Sequence, residues 1–290
     1  MIPGFAERRI DCAGARIACE VGGDGPPLLL LHGFPQTRAM WTHIAPVLAR
    51  THTVVCADLR GYGASDKPEG VAAMTFRAMA ADQAALMCAL GFDRFHLAGH
   101  DRGARTAYRL ALDAPDRVAT LTVMDIVPTA HLLDTLTAEV ARAYYHWFFL
   151  AQPAPLPETL IGADPDAFFE RCLGGWGGAG LSGFDPLLLE AYRAAWRDPA
   201  AIRGMCDDYR AAIDHDAPLD RTGARPLACP ALVLWGADGA MGRAYDVAAT
   251  WAPHLAKMET GEIPGGHFFP DEAPAETATA LREFLARHPI

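Results

Sequence analysis

The chain is 290 residues long, carries a formal net charge of −10 and is 51% hydrophobic with 21% charged residues. That length suits one large α/β enzyme, and the mixture of apolar and charged residues suits a globular chain with a sizeable core. The acidic balance argues against nucleic acid and anionic membrane as partners.

No uncharged apolar run reaches the roughly 18 residues that a membrane span needs, and Met1 to Ile10 lacks the apolar core of a secretory signal. The cysteines Cys12, Cys19, Cys56, Cys88, Cys172, Cys206 and Cys229 are scattered, odd in number and free of any C-x-x-C pair. This usage points to reduced thiols in a cytoplasm and against a zinc site.

In chain order, short apolar runs alternate with helical patterns, as expected of a mostly parallel sheet with helices on both faces. Strands are predicted at Pro27–Leu31, Thr53–Ala57, Phe95–Ala98, Ala119–Met124 and Ala231–Trp235. Their nearly continuous apolar character fits strands buried on both sides. Helices are predicted near Met40–Arg50, Thr75–Leu90, Arg102–Ala111 and Glu276–Arg287. From Pro128 to Ala217 the pattern is helical, rich in aromatics and without a buried-strand run. We read this as a cap inserted over the carboxyl ends of the strands, where α/β sheets bind ligands. Residues 1–127 and 218–290 would form the core, and 128–217 the cap.

Gly99-His100-Asp101-Arg102-Gly103 follows the apolar run Phe95–Ala98 and opens a helical pattern. Glycines two before and two after a central residue allow a sharp strand-to-helix turn that presents that residue above the sheet. Here it is a carboxylate. A carboxylate attacks sp3 carbon and forms an alkyl ester, which suits carbon–halogen or epoxide cleavage. A helix cap is the plainer role for an Asp at this place.

His267, in Gly265-Gly266-His267-Phe268, comes last in the order nucleophile, acid, base, although a loop histidine could also stand there. Two acids compete to orient it. Asp125 ends the strand Ala119–Met124; Asp238 follows Ala231–Trp235. The usual position after that later strand is occupied by Gly239, so Asp125 is preferred.

The turn His32-Gly33-Phe34-Pro35 is expected to aim the Phe34 N–H at the site. With the Arg102 N–H it would form an oxyanion hole. Arg102 and Arg105 share a face of the first helical turn, where the helix dipole disfavours cations. A guanidinium pair there, beside a nucleophile, suggests a ligand carboxylate, with salt bridges to nearby acids as the ordinary alternative.

The runs His100-Asp101-Arg102-Gly103-Ala104-Arg105, Asp125-Ile126-Val127-Pro128-Thr129, Tyr145-His146-Trp147 and Gln152-Pro153-Ala154-Pro155-Leu156-Pro157 resemble the fluoroacetate dehalogenases. These are a branch of the α/β-hydrolase fold beside epoxide hydrolases and haloalkane dehalogenases. The resemblance implies hydrolysis of a short 2-haloacid through an Asp101 ester, with no metal or organic cofactor. It implies halide binding by His146, Trp147 and Tyr209, a place for Trp176 at the entrance or wall, and a homodimer. Packing in the cap is the plain role for the same aromatics.

An epoxide hydrolase would use the same Asp and His with cap tyrosines, for which Tyr144, Tyr145, Tyr192 and Tyr209 are available. A haloalkane dehalogenase usually has Trp where Arg102 stands. A ligand-binding homologue that has lost turnover is a third reading.

Overall fold

A computed structural model describes residues 2–176, 178–223 and 225–290. The five apolar runs form β3 (Pro27–Leu31), β4 (Thr53–Ala57), β5 (Phe95–His100), β6 (Val118–Met124) and β7 (Leu227–Gly236). Every residue of β5 and β6 is buried, so both faces of the sheet are covered there, as a parallel sheet requires.

Three further strands complete an eight-stranded sheet of order β1-β2-β4-β3-β5-β6-β7-β8. β1 (Ala6–Asp11) and β2 (Arg16–Gly22) form an antiparallel hairpin, and β2 pairs antiparallel with β4. β8 (Leu255–Ile263) pairs parallel with β7 at the opposite edge. These three strands were not anticipated. β1 and β8 are mostly exposed or half-exposed edge strands, so their charged residues carry little apolar signal.

The single helix expected over Met40–Arg50 is instead two pieces, a 3-10 turn Arg38–Trp41 and a short helix Ala45–Leu48. Pro46 lacks an N–H and fits only in a first helical turn, so the chain restarts there. The helix Phe76–Ala89 is capped by the Thr75 hydroxyl, which accepts from the Ala78 N–H. The elbow helix, Arg102–Asp113, packs on β3, β5 and β6.

Between β6 and β7 the described residues contain helices and no strand, from Thr129–Asp134 to Ala217–Asp220. The register aligns Leu31 with Gly99, His100 with Met124 and Met124 with Leu234. The carboxyl ends of β3, β5, β6 and β7 therefore form one row. The described residues contain no helix long and apolar enough to cross a membrane.

Candidate active site

Asp101 occupies the tip of the turn between β5 and the elbow helix, with φ 46° and ψ −114°. A non-glycine residue there is strained. The turn is held because its Asp101 N–H donates to the Met124 carbonyl (3.1 Å) and the Arg105 N–H donates to the Asp101 carbonyl (3.1 Å). Gly103 is required by close approach: a Cβ there would lie 2.4 Å from the His32 carbonyl oxygen. At Gly33 a Cβ would lie 2.6 Å from Asp101 Cβ. The Phe34 N–H can consequently reach Asp101 Oδ2 at 2.9 Å. Oδ1 is left as the carboxylate oxygen that this amide does not hold.

His267 faces this carboxylate from the loop after β8. Its Nδ1 bonds Asp125 Oδ2 at 2.6 Å. Asp125, at φ 53°, ends β6 with its N–H on the Leu234 carbonyl (2.8 Å), and its Oδ1 accepts from the Gly236 N–H (3.0 Å). Asp125 is thus held at both oxygens. Asp238 is exposed in the turn after β7 and its N–H bonds the Gly265 carbonyl. The imidazole of His267 is brought to Asp125. The His267 backbone is pinned too: its N–H donates to the Trp176 carbonyl in the cap, and its carbonyl lies 2.7 Å from His100 Nε2.

Burial by itself would raise the Asp101 pKa, but His267, Arg102 and Arg105 outweigh it and hold the carboxyl at about 2. For His267 burial disfavours the cation, yet the hydrogen bond and charge of Asp125, then the charge of Asp101, leave its pKa raised. Asp101 is ionised at any working pH, while His267 needs a pH above its raised value to be neutral.

The two arginines differ. Arg102 is completely buried and gives Nε to Asp208 Oδ2 (2.9 Å) and Nη2 to the carbonyl of Asp208 (2.9 Å) and to its Oδ1. Among the described residues only its Nη1 is without a partner. Asp208 lies on the cap helix Pro199–Ala211 and also accepts from the Tyr62 hydroxyl (2.7 Å). This acid was not anticipated; its sole signal in the chain is its place beside Tyr209. Arg105 gives Nη1 to the Val127 carbonyl (3.0 Å) and Thr129 Oγ1 (2.9 Å), and among the described residues makes no ion pair. Burial lowers its pKa to about 10, so it remains a cation.

Aromatics pack around this cluster. Phe34 stacks on His146 with centroids 5.6 Å apart and meets Tyr209 edge-on at 5.1 Å. Trp147 meets Tyr209 at 5.3 Å, and Trp176 approaches His146 to 3.9 Å. His146 Nδ1, the Tyr209 hydroxyl and the Tyr144 hydroxyl are buried and unpartnered among the described residues. Burial drives the His146 pKa well below and the Tyr209 pKa well above their ordinary values. Both are therefore neutral groups with a hydrogen to donate. The arrangement can attack a carbon with a carboxylate, hydrolyse the resulting ester with a His–Asp pair, and hold anions on both sides.

The chain matches the family described as alpha/beta hydrolase fold over residues 26–274. It is 56% identical over 290 residues to the fluoroacetate dehalogenase of Burkholderia sp, covering 99% of this chain and 95% of that one. It is 30% identical to the soluble epoxide hydrolase of Corynebacterium sp. (strain C12), covering 94% of each. A solved protein of Nostoc sp PCC 7120, provisionally named an alpha/beta hydrolase, superposes with a TM-score of 0.96 at 47% identity, covering 98% of this chain and 99% of that one.

Proposed function

The chain belongs to the alpha/beta hydrolase fold family, and we propose that it hydrolyses a short 2-haloacid, converting fluoroacetate to glycolate and fluoride. The observation that carries this reading is Arg105: a buried cation in the chamber of the carboxylate Asp101, bonded only to neutral oxygens. A substrate carboxylate supplies the missing counter-charge. An uncharged epoxide would not.

In the proposed mechanism the substrate carboxylate docks on Arg105 and on the free Nη1 of Arg102. Asp101 Oδ1 attacks the α-carbon in line, and that carbon inverts. The carbon–halogen electron pair leaves as halide toward the hydrogens of His146, Trp147 and Tyr209. Fluoride is a poor leaving group and a strong acceptor, so donors that converge on it as charge develops lower the barrier. His267, oriented by Asp125, then takes a proton from water, which attacks the Asp101 carboxyl carbon. Charge gathers on Oδ2, where the Phe34 N–H already points, with the Arg102 N–H as second donor. Collapse expels the alkoxide of the 2-hydroxyacid, which takes the proton back from His267, and the new Asp101 carboxyl loses its proton to water, restoring the carboxylate.

We assign residues 128–217 to the cap and 1–127 and 218–290 to the core. The exposed cap leucines Leu156 and Leu160, one helical turn apart, support a homodimer that buries them. The free cysteines support a cytoplasmic location.

The test is halide release from fluoroacetate and chloroacetate beside diol formation from styrene oxide. Fluoride release supports the whole reading. Chloride alone retains the Asp101 chemistry and removes the fluoride role of the cap. Diol without halide overturns the reading in favour of an epoxide hydrolase, in which cap tyrosines such as Tyr144 and Tyr209 would protonate the epoxide oxygen.

A further inference from the structure

A cavity of about 500 Å³ lies between cap and core, outside the catalytic chamber. Its walls include Arg142 on the cap helix Ala138–Ala143, Arg171 on the cap helix Pro165–Trp176 and Arg243 on the core helix Ala240–Ala244. Trp176 forms another wall, and Asp238 is the single acid in the lining.

These three arginines are unlike most others in the chain. Arg38, Arg60, Arg102, Arg193, Arg197 and Arg210 each hold a carboxylate. Arg142, Arg171 and Arg243 form no ion pair among the described residues, and Arg243 bonds the Asp238 carbonyl oxygen rather than its carboxylate. In a chain of net charge −10, three uncompensated guanidiniums against one carboxylate reverse the local sign.

Trp176 belongs both to the lining of this cavity and to the aromatic cluster around the catalytic groups. The Trp176 ring lies 3.9 Å from the His146 ring and 6.2 Å from that of His267, centroid to centroid. A concave site of one sign with low-dielectric walls focuses its field and raises the local concentration of counter-ions.

We propose that this cavity is a vestibule that gathers small carboxylate anions and delivers them past Trp176 to Arg105. The inference rests on the haloacid reading above. It gives the acidic protein a means of drawing in an anion that its overall charge repels. It also gives Asp238 a defined effect of opposite sign: its carboxylate weakens the attraction.

The experiment is steady-state halide release from fluoroacetate at low salt and at 0.5 M KCl, where the Debye length falls to about 4 Å. It uses the wild type, the triple variant R142Q/R171Q/R243Q and Asp238→Asn. At low salt the triple variant should show KM raised about tenfold with kcat unchanged, and the difference should shrink at high salt. Asp238→Asn should lower KM at low salt only. Two results overturn the vestibule: an unchanged KM in the triple variant at low salt, or an equal loss at both salt concentrations. The same comparison is run with chloroacetate; absence of halide release from the wild type with both substrates defeats the haloacid reading itself and is distinguishable from either.

Discussion

The guanidinium of Arg102, on the elbow helix, and the carboxylate of Asp208, on the helix Pro199–Ala211, form a fully buried ion pair that ties that helix to the residue beside Asp101. Phe76, Trp147 and Tyr209 surround the guanidinium at 4.2 to 5.1 Å from their ring centroids. Arg102 therefore holds the helix Pro199–Ala211 through Nε and Nη2 and keeps Nη1 without a partner among the described residues.

Removing one member of this pair leaves a buried charge. Asp208→Asn should lose about 3–5 kcal/mol of stability, read as a lower urea midpoint. The double variant R102M/D208L should lose less than either single change. A double variant as unstable as the sum of the singles would mean that the two side chains act independently.

Asp101→Asn should abolish halide release, because the amide is not a nucleophile. His267→Asn should release one equivalent of halide and stop, leaving a carboxymethyl group on Asp101 that is visible by mass spectrometry. No added mass in that variant would exclude the covalent route. Asp125→Asn should cost about 10⁴-fold in kcat, the scale seen when the orienting acid of a triad is neutralised, whereas Asp238→Asn should spare kcat.

The two steps should separate by pH. Asp101, held at about 2, is ionised throughout the neutral and mildly acidic range. His267 has a raised pKa and is protonated below it. On acidification displacement should continue while ester hydrolysis slows, so the alkyl-enzyme should accumulate in rapidly quenched samples. The Asp101 charge contributes to the raised value, so Asp101→Asn should lower the His267 pKa in an NMR titration. Alkylation removes the same charge and thereby favours the neutral base when it is needed.

Tyr209→Phe removes one donor from the leaving halide. A hydrogen bond to a charged group is worth about 1.5–3 kcal/mol, so fluoride release should fall about 10- to 100-fold. Chloride accepts hydrogen bonds more weakly, and its release should fall less. Equal losses with both substrates would assign Tyr209 to packing.

The elbow was legible in the chain because its physics is local. A strand, two glycines at fixed spacing and a helix require only neighbours, and the middle residue is the carboxylate proposed as nucleophile. The central strands were legible for a similar reason: burial on both faces demands continuous apolar runs. β1 and β8 escaped because edge strands bury too little surface to impose a pattern, and the Met40–Arg50 helix failed because one proline outweighed its periodicity.

Partnership across the chain was another matter. Asp125 and Asp238 are both plausible acids by position, and only the bond of His267 across 142 residues distinguishes them. Nothing near Arg102 foretells Asp208, 106 residues away. The sequence by itself determined the fold class, the carboxylate at the tip of the elbow and the presence of two cations beside it. Tertiary structure alone decided which acid holds His267, which arginine lacks a carboxylate partner among the described residues and where the unpaired arginines gather. Electrostatic partnership depends on distance in space and on desolvation, and separation along the chain encodes neither.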